Sequence, residues 1–569
     1  MSNTQRAHDR AKDIKNRASA VMAMTIGAVD SSASPDLQLE QLQRSVVKNP
    51  MFEGVDARFG VTVTGAWTEA LHNYKASHGK YPSVEVLANA HKSLQNLMTE
   101  SVKESGSIKG PNAAMFESAA ADMRTSEGVM KQAIFAAMIL PAALGAATSD
   151  ACTFVPCERD IAKIYELTNI AGSNFGTFRA GDELNMHRTG AYSQMRRTER
   201  FAQDNQPDGT KKDFTFSLAT FLGTDAPIIK GRAKLLVNRR VSKKDDSDGN
   251  LYFNDTDFNG VQYQATGKVD YAKGIITVSF NTAPAAGTEL AAQVEINVEG
   301  KADLIPVINQ TMREYEVSPS QYILASEHTV QSASDLQREF GLNLQSQQFQ
   351  AMTQWLSHET DMARLRTLVF HTIPNFSREF DVALPEGQTY ESWVGIMSHA
   401  VNRLSTEMLN RNKESGIRGG FAGGDAANYL RSLPSSVFQK DPNYVQSPYV
   451  QYIGTLFNTI RIYEVPNPAC ESLQADGLDF QPYDIYFYGR GDSIGKAGLI
   501  AGDAVPAMPF VHPTDKNLVN RTTIWGSALN EIHPRGGENY FSRLRLTNSK
   551  VGSFDMLTGK PIEAVVTGK

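Results

Sequence analysis

Cysteine is scarce in this sequence: three among 569 residues, at Cys152, Cys157 and Cys470. So low and odd a number supplies no disulfide framework, which excludes small stapled secreted scaffolds and points to folding in a reducing cytoplasm. Cys152 and Cys157 have no matching Cys or His pair for a zinc site, so they read as buried thiols. An excess of one charge is also lacking: 56 Lys and Arg stand against 62 Asp and Glu, a formal net charge of −6. That balance speaks against a strongly basic nucleic-acid binder. Long apolar runs are missing too. The most apolar stretch, AIFAAMILPAALGAA at 133–147, is shorter than a bilayer span and is broken by Pro141. The first thirty residues contain no apolar core, so no signal peptide is expected.

What is present is ordinary globular material, 41% hydrophobic and 21% charged. A chain of 569 residues exceeds what one core supports and implies two to four subdomains. Residues 1–130 are polar, helix-favouring and punctuated by Pro35, Pro50, Pro82 and Pro111. Val84, Leu87, Ala90, Leu94 and Leu97 are spaced for a helix. The pattern predicts an extended helical arm, with helices packed locally on the body as the alternative. From 230 to 304 the character changes to alternating strands around Gly and Pro turns. Ile276, Val278, Phe280, Val294, Ile296 and Val298 point inward in this reading, which gives a small inserted β-domain.

Helices return after that block. Ser334 and Gln337 suggest a capping box, Gly341 interrupts, and a long helix follows over about 346–370. Its core stripe is Phe349, Met352, Leu356, Met362, Leu365 and Val369, with Glu359, Asp361 and Arg364 on the polar side. A second helix over about 391–410 presents Trp393, Met397, Ala400, Leu404 and Met408. The glycine-rich tract GIRGGFAGGD, containing Gly416, Gly419, Gly420, Gly423 and Gly424, reads as a loop leading to a short helix capped by Asp425. Strands dominate the remainder.

Fragments that suggest chemistry fail on spacing. In YGRGDSIGKAG, a Walker loop would need glycine where Arg490 stands and a hydroxyl where Ala497 stands. Gly491-Asp492-Ser493 offers a nucleophilic serine without an assignable base or oxyanion hole. In KKDDSDGN, Lys244 occupies the first position of a calcium loop and Asp255 the last, so a hairpin turn is favoured. His358-Glu359 lacks the second histidine of a zinc-protease helix, because Met362 occupies its position. No catalytic, metal-binding or cofactor-binding residue is assigned, and the chain is read as a non-enzyme.

Four stretches carry a family resemblance. They are MREYEVSPSQYILASEHTVQSASDLQREFGLNLQSQ (312–347), GGDAANYLRSLPSSVF, YIGTLFNTIRIYEVPN, and DIYFYGRGDSIGKAGLIAGDAVPAMPF followed by TTIWGSALNEIHPRGGENYFSRLRLTN. In order and spacing they resemble the major capsid proteins of T-even-type myoviruses, which have the Hong Kong 97 fold. The likeness covers about half the chain, from 180 onward with the β insertion set aside, and no single motif is diagnostic. It implies an α+β fold with a peripheral domain built on a long spine helix, an axial domain, an extended loop, an N-terminal arm and an inserted β-domain. The expected division is 1–130 arm, 131–180 start of the peripheral region, 181–229 first part of the extended loop and 230–304 β-domain. Then follow 305–385 loop return and spine helix, 386–510 axial domain and 511–569 closing strands. The glycine tract would lie at a capsomer axis.

The first 130 residues depart from the family pattern and suit a different arm or an internal scaffolding device. Relatives lose an N-terminal segment to a protease that cuts after glutamate, and the sequence leaves such trimming open. The resemblance implies a virion protein of a tailed bacteriophage, assembled in the host cytoplasm into hexamers, with pentamers left open. Implied partners are copies of the chain, portal, scaffold and decoration proteins, and packaged double-stranded DNA held weakly, with no membrane. The alternatives are a tail-sheath or baseplate protein and, from another class, a hydrolase using Ser493.

Overall fold

A computed structural model describes residues 3–548 apart from 30–34, 53–56, 79, 104–135, 142, 145, 159–160, 185–189, 247, 257–259, 300, 341–343, 384, 386, 492–494 and 513–517. It mixes helices and sheets, and two compact units divide the chain. One comprises Met1–Thr4 and Glu166–Arg313; the other comprises Gln5–Tyr165 and Glu314–Lys569.

The first unit is a β-sandwich. One sheet runs Arg196–Arg200, Leu290–Glu295, Lys234–Val237, Arg240–Val241; the other runs Asp213–Ser217, Ile275–Phe280, Gln262–Asp270, Asn250–Thr256. Alternation of burial along Ile275–Phe280 puts Ile276, Val278 and Phe280 inside. They share a core with Leu235, Leu290, Val294 and Ile296 of the facing sheet, against which Val298 packs. The sandwich begins well before residue 230. Strands Arg196–Arg200 and Asp213–Ser217 pair antiparallel with Leu290–Glu295 and Ile275–Phe280, so much of 181–229 is sandwich and not extended loop. Phe201, Phe214 and Phe216 explain why: they fill the space between the sheets, with Phe214 edge-on to Phe280 at 5.7 Å. The acidic turn is structural. Asp245 accepts from Gly231 N and Ala233 N, and Asp246 accepts from Asn250 N at 2.6 Å.

The second unit holds two sheets. A four-stranded sheet runs Cys152–Phe154, Leu499–Val511, Val519–Ile532, Ser320–Thr329. A seven-stranded mixed sheet runs Ser377–Asp381, Phe541–Thr547, Asp484–Gly489, Ile417–Gly423, Ile460–Val465, Gln451–Leu456, Phe438–Lys440. Helix Tyr390–Asn412 covers it with Met397, Val401, Leu404 and Met408, packed on Ile485, Phe487 and Leu544. Thr389 caps this helix by accepting from Ser392 N, and Lys413 ends it at φ 57°. Helix Val330–Phe340 begins earlier than the sequence suggests: Thr329 Oγ1 accepts from Ser332 N, and Ser334 lies inside the helix.

The N-terminal residues are not a free arm. Helices Asn3–Met24, Pro35–Lys48, Ala57–His78 and Val84–Lys103 feed Val21, Val46, Phe59, Val63, Trp67, Leu71 and Leu94 into the main core of this unit. Trp67 donates its indole N–H to Ala136 O at 3.1 Å. The reason for packing lies in the sequence of Val84–Lys103. Beside its apolar stripe it carries Glu85, Asn89 and Asn96, which meet the neighbouring strands. Glu85 accepts from Thr153 Oγ1 and Phe154 N; Asn89 accepts from Asp503 N; Asn96 donates to Ala504 O. Side chains thereby satisfy backbone groups that would otherwise be buried unpaired.

Asp503 is half-buried beside this helix, with a side-chain donor in Asn89 Nδ2 at 3.3 Å. Burial pushes its carboxyl up from the ordinary value, and Arg364 only partly opposes this. A carboxyl whose folded pKa is raised favours the protonated folded state. Its contribution is therefore fully favourable below the unfolded value, about 4, and is lost as pH rises through the folded one. Asp503→Asn should raise the thermal midpoint more at pH 8 than at pH 5; an equal shift at both would contradict the sign.

Candidate assembly surface

Helix Leu344–His371 has 28 residues and is the longest among the described residues. Met352, Met362, Leu365 and Val369 of the expected stripe are buried, joined by Leu368, while Leu356 is half-buried. The side chain of Phe349 lies outside the described residues. The expected polar side needs correction: Asp361 and Arg364 are buried, at 7% and 6% exposure. They sit there because the turn Ala147–Ala151 supplies partners. Thr148 donates to Asp361 Oδ1 from its backbone N at 3.2 Å and its hydroxyl at 2.6 Å. Arg364 donates to Asn530 Oδ1 at 2.7 Å, and to Thr148 Oγ1 and Ser149 Oγ at 3.2 and 3.3 Å. Burial pushes the Asp361 carboxyl up, while the Thr148 hydrogen bonds and the Arg364 charge pull it down.

The same turn reaches the seven-stranded sheet. Asp150 accepts from Arg461 at 2.8 Å and from the Tyr463 hydroxyl. Burial, then Asp150, holds Tyr463 well above its ordinary value, so the phenol stays protonated as a donor. Thr148, Ser149 and Asp150 thus join the long helix, the strand Val519–Ile532 and the seven-stranded sheet through one polar cluster, buried at Thr148 and half-buried at Ser149 and Asp150. It fixes the angle of a long helix against two sheets.

On that rigid frame, large apolar side chains face outward. Trp355 is 60% and Phe370 73% exposed on the long helix. Trp355 lies 6.1 Å from the His358 ring, which lies 5.8 Å from Tyr449, so these aromatics form one patch. Strand Ser320–Thr329 is the edge of its sheet and pairs along its full length with Val519–Ile532 on one side. Its residues alternate exposed and half-buried, and Ile323 is 66% exposed. Ten residues of edge strand with an exposed apolar centre form a template for another chain.

The glycine tract is not a loop. Gly419, Gly420 and Gly423 lie in strand Ile417–Gly423, inside the seven-stranded sheet between Ile460–Val465 and Asp484–Gly489; Gly416 just precedes it and Gly424 starts helix Gly424–Ser432. Asp425 falls in the helix's first turn, while Gly423 holds the cap position. Close approach explains the composition: a Cβ at Gly419 would lie 2.5 Å from Tyr488 Cζ, and one at Gly423 would lie 2.7 Å from Pro482 Cα. The buried aromatics Phe421, Tyr463 and Tyr488 stack along this strand and its neighbours, with ring centroids 5.4–5.7 Å apart.

Of the fragments with enzymatic overtones, Ser493 and Asp492 lie outside the described residues. Arg490 and Ala497 form an isolated β-bridge, and Gly491 N donates to Lys496 O. The three thiols are free and buried, and burial pushes them up. Among the described residues no cluster of His, Cys, Asp and Glu could hold a metal ion, and no helix is long and apolar enough to cross a membrane.

The family described as "Domain of unknown function (DUF8615)" matches residues 2–146. Among solved structures, the jumbo bacteriophage PhiKZ capsid overlays at a TM-score of 0.33 and 9% identity, covering 70% of this chain and 91% of that one. The Myoviridae phage XM1 capsid overlays at 0.27 and 10%, covering 58% and 93%. A Synechococcus elongatus encapsulin gives 0.27 and 8%, covering 42% and 77%. Overlays this loose define no common fold. Protein IncB of Escherichia coli is similar in sequence, 39% identical over 181 residues that make up 31% of this chain and 86% of that protein. With most of that relative's length matched at this identity, the chain belongs to the protein IncB family.

Proposed function

We propose that this chain is the major capsid protein of a tailed bacteriophage, a structural subunit with a Hong Kong 97-like plan that closes into an icosahedral head of hexamers and pentamers. The observation that carries the reading is the exposed apolar set Ile323, Trp355 and Phe370 on a long edge strand and a long helix, both held by buried contacts. Isolated exposed apolar residues are common, but a ten-residue edge strand with no strand beyond it among the described residues is a liability in a monomer. Copies of the chain would cover it, in obligate interfaces of about 2,000–5,000 Å². The resemblance of 312–347 and the later strands to T-even-type capsid proteins supports the same reading. Scaffold, portal and decoration proteins would be its other partners. With a net charge of −6, packaged double-stranded DNA would be contacted weakly.

The test is a pair of outward substitutions, Ile323→Lys and Trp355→Asp, compared with the unaltered chain by sedimentation velocity and negative-stain microscopy. Both side chains are exposed, so the released subunits should keep the far-ultraviolet circular dichroism of the folded chain while large assemblies give way to small species. Unchanged assembly in both variants would contradict the reading.

A further inference from the structure

Over residues 166–313 the charges balance, 18 Lys and Arg against 18 Asp and Glu, but they are unevenly spread. Residues 226–244 hold seven Lys and Arg and neither Asp nor Glu. The fold gathers five of these cations on one hairpin at the edge of a sandwich sheet, where Lys234–Val237 pairs antiparallel with Arg240–Val241. Arg239, Arg240, Lys243 and Lys244 are exposed, and Lys234 is half-buried. Among the described residues, Lys234, Arg239, Lys243 and Lys244 form no ion pair with a carboxylate. The nearby carboxylates are engaged elsewhere. Glu289 pairs with Arg200, and Glu295 is shared by Arg196 and Arg232. Asp245 accepts from Gly231 N, Ala233 N and the Tyr271 hydroxyl, and Asp246 accepts from Asn250.

Two features of this hairpin cost stability. Its turn residues Asn238 and Arg239 stand at φ 43° and 67°. That is the backbone of a type I′ turn, whose second position favours glycine, so an arginine there is strained. The other feature is like-charge crowding. Ser242 N donates to Leu235 O and Leu235 N to Ser242 Oγ, which sets the following pair, Lys234 and Lys243, opposite each other. Like charges placed directly opposite repel. A bound polyanion would relieve that repulsion and would make use of the strained arginine.

We infer that this hairpin binds the phosphate backbone of double-stranded DNA. Guanidinium and ammonium groups with no carboxylate partner are the groups that neutralise phosphates. Single strands are held by stacking bases on aromatic rings, and residues 226–244 contain no aromatic side chain. A protein partner would need a cluster of apolar anchors, and on the hairpin Val241 alone is a large apolar side chain more than a third exposed. The inference deepens the proposed role, in which DNA is contacted weakly, by giving that contact a surface, and it rests on that reading.

The experiment uses the full-length chain with a 30-base-pair duplex, a 30-nucleotide single strand and polyglutamate, read by fluorescence anisotropy between 50 and 300 mM NaCl. The duplex should bind most tightly. If five cations meet phosphates, the log–log salt slope should be about −4 to −5. The double substitution Lys243→Glu, Lys244→Glu should weaken duplex binding by about tenfold or more with the sedimentation profile unchanged. Arg239→Gly should weaken it by about threefold and flatten the slope by about 1 without lowering the thermal midpoint, because glycine fits that φ. Absence of duplex binding would overturn the inference, as would undiminished binding by the double variant or tighter binding of polyglutamate. A double variant that no longer assembles would also overturn it, since the hairpin would then be an interface between copies. Assembly is recorded on the same samples: shells that ignore DNA sink this inference alone, and a monomer that binds the duplex sinks the capsid reading alone.

Discussion

Arg364→Ala is expected to destabilise the Gln5–Tyr165/Glu314–Lys569 unit by about 3–5 kcal/mol, the usual cost of removing one member of a buried charged cluster. The guanidinium is 6% exposed, donates to Asn530, Thr148 and Ser149, and lies 5.8 Å from the Phe154 ring centroid. Its removal strands the Asp361 carboxyl, which keeps the Thr148 donors but loses the nearby positive charge. The carboxyl would then take up a proton more readily, so the loss should be larger at pH 8 than at pH 5. Adding Asp361→Asn should recover part of it, because an amide no longer needs the charge. Urea unfolding followed by tryptophan fluorescence across this double-mutant cycle measures the coupling. If the two single losses simply add, the cluster does not act as one unit.

A second large effect is expected at Gly423. Its missing side chain leaves room for the backbone of Pro482, whose Cα would be 2.7 Å from an added Cβ and whose carbonyl would be closer still. Pro482 lies in the turn that leads into strand Asp484–Gly489, and backbone there cannot yield as the end of a long side chain can. Gly423→Ala should therefore cost more than about 3 kcal/mol, or prevent folding into soluble protein. Gly395 provides the contrast. It is exposed within helix Tyr390–Asn412, and an added Cβ would meet nothing within 4 Å. Gly395→Ala should stabilise by about 0.5–1 kcal/mol through the entropy of the unfolded chain. Parallel melting curves of the two variants decide the matter; similar effects at both sites would refute close packing along the glycine strand.

Periodic signals read well in the sequence. The alternation of Ile276, Val278 and Phe280 identified inward-facing strand residues, and the spacing of Met352, Met362, Leu365 and Val369 identified a buried helix face. What periodicity cannot encode is which distant segment arrives as a partner. Asp361 and Arg364 look like solvent-facing charges until Thr148 and Asn530, 213 and 166 residues away along the chain, are placed beside them. The turn at Thr148, Ser149 and Asp150 has no local pattern that marks it as a junction. Glycine composition misled for a similar reason. Small residues suit a turn by conformational freedom and a crowded strand by close approach, and only Tyr488 and Pro482 of the adjoining segment distinguish the two. In the N-terminal region the helical character and the stripe of Val84, Leu87, Ala90, Leu94 and Leu97 were legible. The docking of these helices was not, because Glu85, Asn89 and Asn96 resemble an exposed polar face before Phe154, Asp503 and Ala504 meet them.

Self-association is the property on which the proposed role stands or falls. Sedimentation velocity of the purified full-length chain, with microscopy of each resolved species, measures it without any assumption about geometry. Hexamer-sized rings or closed shells are the expected species, with little free subunit at micromolar concentration. A stable, monodisperse monomer at high concentration, its Ser320–Thr329 edge unprotected in hydrogen exchange, would contradict the assignment.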